Sequence, residues 1–79
     1  MYIDLGGDVV VKSDEISGIF DMDTSTVNKA TRDFLAQAER EGRVIYASYD
    51  LPKSFVVCGE KIYVCEYNTS TIFKRIRNA

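Results

Sequence analysis

One stretch near the middle of the chain carries helical spacing, and β-rich segments lie on both sides of it. Val27, Ala30, Phe34, Leu35 and Ala38 recur so that they share one face of a helix. Thr24-Ser25-Thr26 precedes them with side-chain oxygens able to accept the orphan N–H groups of a first turn. Gly42 follows, where a residue without a Cβ takes the left-handed conformation that ends helices. The spacing predicts a helix over 24–42, with Lys29 and Asp33 four apart on its polar side. A long helix set between two groups of strands confines the chain to an α+β arrangement.

The segments before the helix read as three strands. Residues 2–5 alternate apolar and polar, Gly6-Gly7-Asp8 supplies a turn, and Val9-Val10-Val11 is β-branched, the pattern of a short hairpin. Residues 16–20 follow Ser13-Asp14-Glu15, end at Asp21-Met22-Asp23, and are expected to extend the same sheet. After the helix, residues 44–49 form a strand, and Asp50-Leu51-Pro52-Lys53 breaks it because the chain's one proline cannot donate to a ladder. Residues 55–58 and 62–66 form a second hairpin across Gly59-Glu60-Lys61. Asn68-Thr69-Ser70-Thr71 caps a short terminal helix carrying Ile72, Phe73 and Ile76.

The resulting order is β-β-β-α-β-β-β-α, with no linker and no internal repeat, so residues 1–79 are expected to be a single domain. The expected architecture is a small, mostly antiparallel sheet, or a sheet with an offset hairpin, covered on one face by the long helix. The other face and any open strand edge then call for another chain or for charged protection. Size points the same way. A chain of 79 residues buries only about 60% of the surface its unfolded form exposes, and domains with so thin a core recruit disulfides, a metal or further copies of themselves.

Of those staples, two are disfavoured by the residues present. Cys58 and Cys65 fall on the two arms of the second hairpin, on the order of 10 Å apart along the ladder, which is beyond disulfide reach. They read as free thiols packed in the sheet. The chain has no histidine, so the commonest metal ligand and general base is missing and no Ser-His or Cys-His pair can form. The two cysteines lack zinc spacing, and no run resembles a calcium loop. Gly6-Gly7-Asp8 lies between strands instead of leading into a helix, so it lacks the setting of a phosphate-cradling loop. Asp14-Glu15 and Asp21/Asp23 sit at element ends, where acids cap and solubilise. No cofactor and no catalytic group is expected, which leaves a binding module. Self-association is the staple that remains.

Charge placement narrows the partner. The formal net charge is −2, from ten basic and twelve acidic residues, so no global field draws in nucleic acid. All the acids lie at or before Glu66, however, and Lys74, Arg75 and Arg77 cluster at the end. Such cations suit the C-terminal end of a helix dipole and can also hold an anion. Tyr46, Tyr49, Tyr63 and Tyr67 lie in or beside strands, where a ring can pack while its hydroxyl reaches water. The opening residues show no basic leader followed by an apolar core, and no apolar run approaches the roughly 20 residues that cross a bilayer. A soluble, cytoplasmic protein with no membrane partner is expected.

The stretch Thr31-Arg32-Asp33-Phe34-Leu35-Ala36-Gln37-Ala38-Glu39-Arg40-Glu41-Gly42-Arg43-Val44-Ile45-Tyr46-Ala47-Ser48-Tyr49 resembles the bacterial extracellular-matrix regulator family of RemA and RemB. The likeness continues through Phe55-Val56-Val57, Ile62-Tyr63 and Thr71-Ile72-Phe73-Lys74-Arg75-Ile76, and so spans nearly the whole chain. Met1-Tyr2-Ile3-Asp4-Leu5-Gly6 and Leu51-Pro52-Lys53-Ser54 look closer to the RemB branch.

The resemblance implies transcriptional activation of biofilm-matrix genes by a ring-shaped homo-oligomer whose basic residues engage double-stranded DNA. RemA-like members carry adjacent arginines in the connection where this chain has Leu51 and Pro52, and a further basic residue near Asp14 or Glu15; Lys53 keeps the one charge in the connection. DNA contact is then expected from Lys12, Lys53, Lys74, Arg75 and Arg77, through phosphates and not base edges. A ring multiplies each such cation by its copy number. The other reading is an interaction or scaffold protein of the same fold that does not bind DNA and assembles with a basic paralogue.

Overall fold

The computed structural model describes residues 2–22, 28–47 and 51–78. The element order among these residues follows the expected one. The first hairpin is β1 (Tyr2–Gly6) and β2 (Val9–Lys12), antiparallel with Ile3 opposite Val11 and Tyr2 opposite Lys12. A short turn of 3-10 helix at Ser13–Glu15 leads into β3 (Ile16–Asp21). Next come α1 (Lys29–Arg40), β4 (Val44–Tyr46), β5 (Ser54–Cys58), β6 (Lys61–Cys65) and α2 (Thr69–Asn78).

The helix ends obey local chemistry. The expected cap at Thr24-Ser25-Thr26 lies outside the described residues, as does Val27; α1 as described is capped by Asn28, whose Oδ1 accepts the N–H of Ala30 at 2.8 Å. Gly42 takes φ +71°, as its position predicts. Asn68 Oδ1 accepts the N–H of Thr71 and the hydroxyls of Ser70 and Thr71, each at 2.8 Å, and so starts α2. The strand expected over 44–49 is described as far as Tyr46, with Ala47 donating its N–H to Val64 O at 2.8 Å; Ser48, Tyr49 and Asp50 lie outside the described residues.

The strands divide differently from the simplest expectation. β1 and β2 make a two-stranded sheet of their own, and a four-stranded sheet runs β3-β5-β6-β4. β3 therefore does not extend the first hairpin. It pairs antiparallel with β5, placing Phe20 beside Phe55, and their rings stack with centroids 5.0 Å apart. β4 runs parallel to β6, with Val44 opposite Ile62 and Tyr46 opposite Val64. The other pairs are antiparallel.

Both faces of the four-stranded sheet are covered by the chain itself, which corrects the expectation that the face away from the long helix needed another chain or charged protection. Successive residues of a strand point to opposite faces. On one face Phe55, Ile62 and Val64 pack with Ala38 of α1, and Leu35, Val44 and Val57 join them. On the other, Val56, Cys58 and Cys65 pack with Ile3, Leu5 and Val11 of the hairpin and Ile72 of α2. Two-sided burial is what makes Phe55-Val56-Val57-Cys58 apolar without alternation. No helix among the described residues is long and apolar enough to cross a membrane.

Candidate functional site

The hairpin and α2 meet around Tyr67, in the short bend between β6 and α2. The backbone there is fixed from below by Ser54, a fully buried residue whose hydroxyl donates to Tyr67 O at 2.7 Å. Ser54 has one proton, so with that proton on Tyr67 O the Cys65 thiol, 3.1 Å from Ser54 Oγ and 3.9 Å from Tyr67 O, has both oxygens as acceptors for its own. The Tyr67 ring lies along Gly6, where a Cβ would come within 3.4 Å of it. The Arg75 guanidinium sits over the ring, 4.2 Å from its centroid. Arg75 also donates to the Asp4 carbonyl at 2.7 Å, tying the last helix to the first strand.

Two open grooves border this stack. One is lined by Leu51, Lys53, Glu66 and Tyr67. The other runs between β1 and α2 and is lined by Tyr2, Ile3, Asp4, Thr71, Lys74, Arg75 and Asn78. Tyr67 borders the first, and the arginine stacked on it borders the second. Lys12 stands opposite Tyr2 in the hairpin register. Lys53 thus lines the first groove, Lys74 and Arg75 the second, and Lys12 stands beside Tyr2 at the second groove's rim. Arg77 is exposed on the last turn of α2 and lines neither groove.

The five cations are not equivalent. Among the described residues, no acidic partner lies within ion-pair distance of Lys12, Lys53, Lys74 or Arg77. Elsewhere Lys29 Nζ meets Asp33 Oδ2 at 2.9 Å, and Arg43 Nε meets Glu41 Oε1 at 2.8 Å. Arg75 is half-buried and already holds a ring and a carbonyl. Asp4 and Glu66 border the two grooves and weaken the local positive field. Asp14 and Glu15 are exposed on the 3-10 turn, and Leu51 is 81% exposed in the connection before β5.

The remaining titratable features carry no evident chemistry. Burial, and then the charge of Glu15, push the Cys58 thiol up, so it stays protonated and weakly nucleophilic at neutral pH. Hydrogen bonds from Gln37 and Arg43 hold the exposed Glu41 carboxyl below its usual range. Both cysteines are free. Among the described residues, no cluster of three or more His, Cys, Asp or Glu side chains could hold a metal ion. Tyr67 and Asp4 escaped the sequence reading as members of this site. Their link to Arg75 joins the two ends of the chain, so no local spacing announces it.

Residues 2–76 match the family described as RemA-like, extracellular matrix regulatory protein A-like. The chain is also 36% identical over 75 residues to extracellular matrix regulatory protein B of Bacillus subtilis strain 168, covering 95% of this chain and 89% of that protein.

Proposed function

The chain belongs to the RemA-like family of extracellular matrix regulatory proteins, and on that premise we propose that it regulates matrix genes by binding DNA as a homo-oligomer in the cytoplasm. It acts by binding and not by catalysis. Contact is made mainly to phosphates, by Lys12, Lys53, Lys74 and Arg77, with Arg75 beside them. The observation that carries the reading is that these first four cations lack acidic partners among the described residues, as Lys61 also does, and that Lys53 and Lys74 in addition line the two grooves beside the Tyr67–Arg75 stack. Four lysine and arginine contacts from one protomer bind weakly at physiological salt, and assembly raises the effective number.

A ring or similar closed assembly is supported by what the fold leaves exposed. β3 and β4 are the edges of the four-stranded sheet, and large apolar side chains such as Tyr2, Val10 and Phe34 stand in solvent. A gel shift with duplex promoter DNA across a salt series tests the reading: a complex that forms at low salt and dissolves steeply as salt rises supports it. No complex at low salt removes it.

A second reading has its own observation. Leu51 is 81% exposed, an apolar side chain where a DNA contact would want a cation, which suits a scaffold that pairs with a basic paralogue. Co-purification with such a paralogue, with no retention on DNA, would decide for it.

A further inference from the structure

We propose that Tyr67 and Arg75 are positioning residues for the cationic surface: their stack locks α2 onto β1, and the partner meets Lys74 and Arg77 instead of Arg75. The inference rests on the reading of that surface as a phosphate-binding one, and it assigns roles within it. Three contacts converge on the pair. The guanidinium covers the Tyr67 ring at 4.2 Å, donates to Asp4 O at 2.7 Å, and so bridges the bend after β6 to the first strand. The ring in turn is backed by Gly6, and the Tyr67 carbonyl is held by the buried Ser54 hydroxyl. Arg75 therefore points along the body of the protein, fixed at its face and at one edge. Lys74 and Arg77 flank it on the same helix and remain exposed.

The consequence is an electrostatic effect without a charge. A tyrosine that contacts no phosphate sets where two cations stand relative to Lys53, which lines a groove with that tyrosine. Loosening α2 would spread those cations over many positions, and the ordering cost would fall on the binding step.

The test measures duplex DNA binding across a salt series, together with amide hydrogen exchange of α2 in the free protein, for wild type, Y67L, Y67F, R75K, R75Q and the Y67L/R75Q double variant. The expected result is that Y67L, which removes no charge, and R75K, which keeps one, both speed exchange in α2. Both should also flatten the slope of log affinity against log salt by up to about two units, as if two phosphate contacts at about 0.9 each were lost. Y67F keeps the ring and should match wild type, and the double variant should be no worse than either single change. If Y67L and R75K leave exchange and slope unchanged while R75Q alone lowers the slope by about one unit, Arg75 is a direct phosphate ligand and the proposal is overturned. Failure of the wild type to bind at low salt would instead remove the phosphate-binding reading. The exchange data would then still report whether the stack holds α2.

Discussion

Replacing Ile72 with alanine takes a side chain that is 0% exposed out of the seam where α2, the hairpin and the sheet meet. The three carbons lost are worth about 2.4 kcal/mol at about 0.8 kcal/mol per buried CH2. A residual cavity raises the cost to about 3–4 kcal/mol, within the range of such truncations. A domain of this size has only about 4–12 kcal/mol in total. With a urea dependence near 1 kcal/mol per molar, the unfolding midpoint should fall by about 3 M. Phe73 is the control: it is the next residue, larger, and 51% exposed. Phe73→Ala should cost less than about 1 kcal/mol. Urea unfolding followed by circular dichroism at low protein concentration measures both. Equal losses for the two variants, or a loss below about 1 kcal/mol for Ile72→Ala, would refute the claim that α2 seals the second face of the sheet.

Gly7 and Gly42 both have positive φ, but a Cβ on Gly7 would collide with the Ala47 carbonyl oxygen, whereas one on Gly42 meets nothing. Gly42→Ala should cost about 1 kcal/mol from backbone strain alone, and Gly7→Ala several times more; equal thermal shifts would contradict the docking of the hairpin turn on residue 47. The Cys58 thiol is raised by burial and by Glu15, so its stabilising contribution is full below the unfolded value of about 8.5 and is lost as pH rises through the higher folded value. Cys58→Ala should therefore flatten the alkaline decline of the urea midpoint, and iodoacetamide should modify Cys58 of the wild type at pH 7 far more slowly than a free thiol. Leu51→Arg adds an exposed cation in the connection and, under the proposed reading, should tighten DNA binding and steepen the salt slope by about 0.9 per protomer in contact. An unchanged slope would take the connection off the DNA-facing surface.

Local chemistry made much of the fold readable. The glycine turn, the β-branched Val9-Val10-Val11, Gly42 and Asn68 each carry a backbone instruction that the structure obeys. What escaped was non-local. β3 is patterned like an extension of the hairpin, and only its pairing with β5, including the Phe20–Phe55 stack, separates it. The parallel pairing of β4 with β6 is set by a three-residue strand, too short for its direction to show in the pattern. Two-sided burial did leave a trace, the unbroken apolar run of β5, which is longer than a sheet with one wet face requires.

The site divides in the same way. The basic tail and Lys53 stand out in any reading of charge order, and the exposure of Lys53, Lys74 and Arg77 follows from their polarity. That Arg75 faces the protein could not be read, because its partners Asp4 and Tyr67 are brought to it by the docking of α2 on β1. Leu51 and Pro52, which the sequence resemblance sets opposite arginines of RemA-like members, differ in exposure: Leu51 is open to solvent, while Pro52 is half-buried and lines a cavity with Met22, Leu35 and Val64.

The proposal that several protomers present their cations together to one phosphate backbone is tested most directly by the salt dependence of duplex binding by the wild-type protein. Lys12, Lys53, Lys74 and Arg77 of one protomer can release counterions for a log-log slope of at most about 3.6. The account predicts a steeper slope than that, with binding evident at low ionic strength. A slope at or below about 3.6, or no binding at low salt, would contradict it.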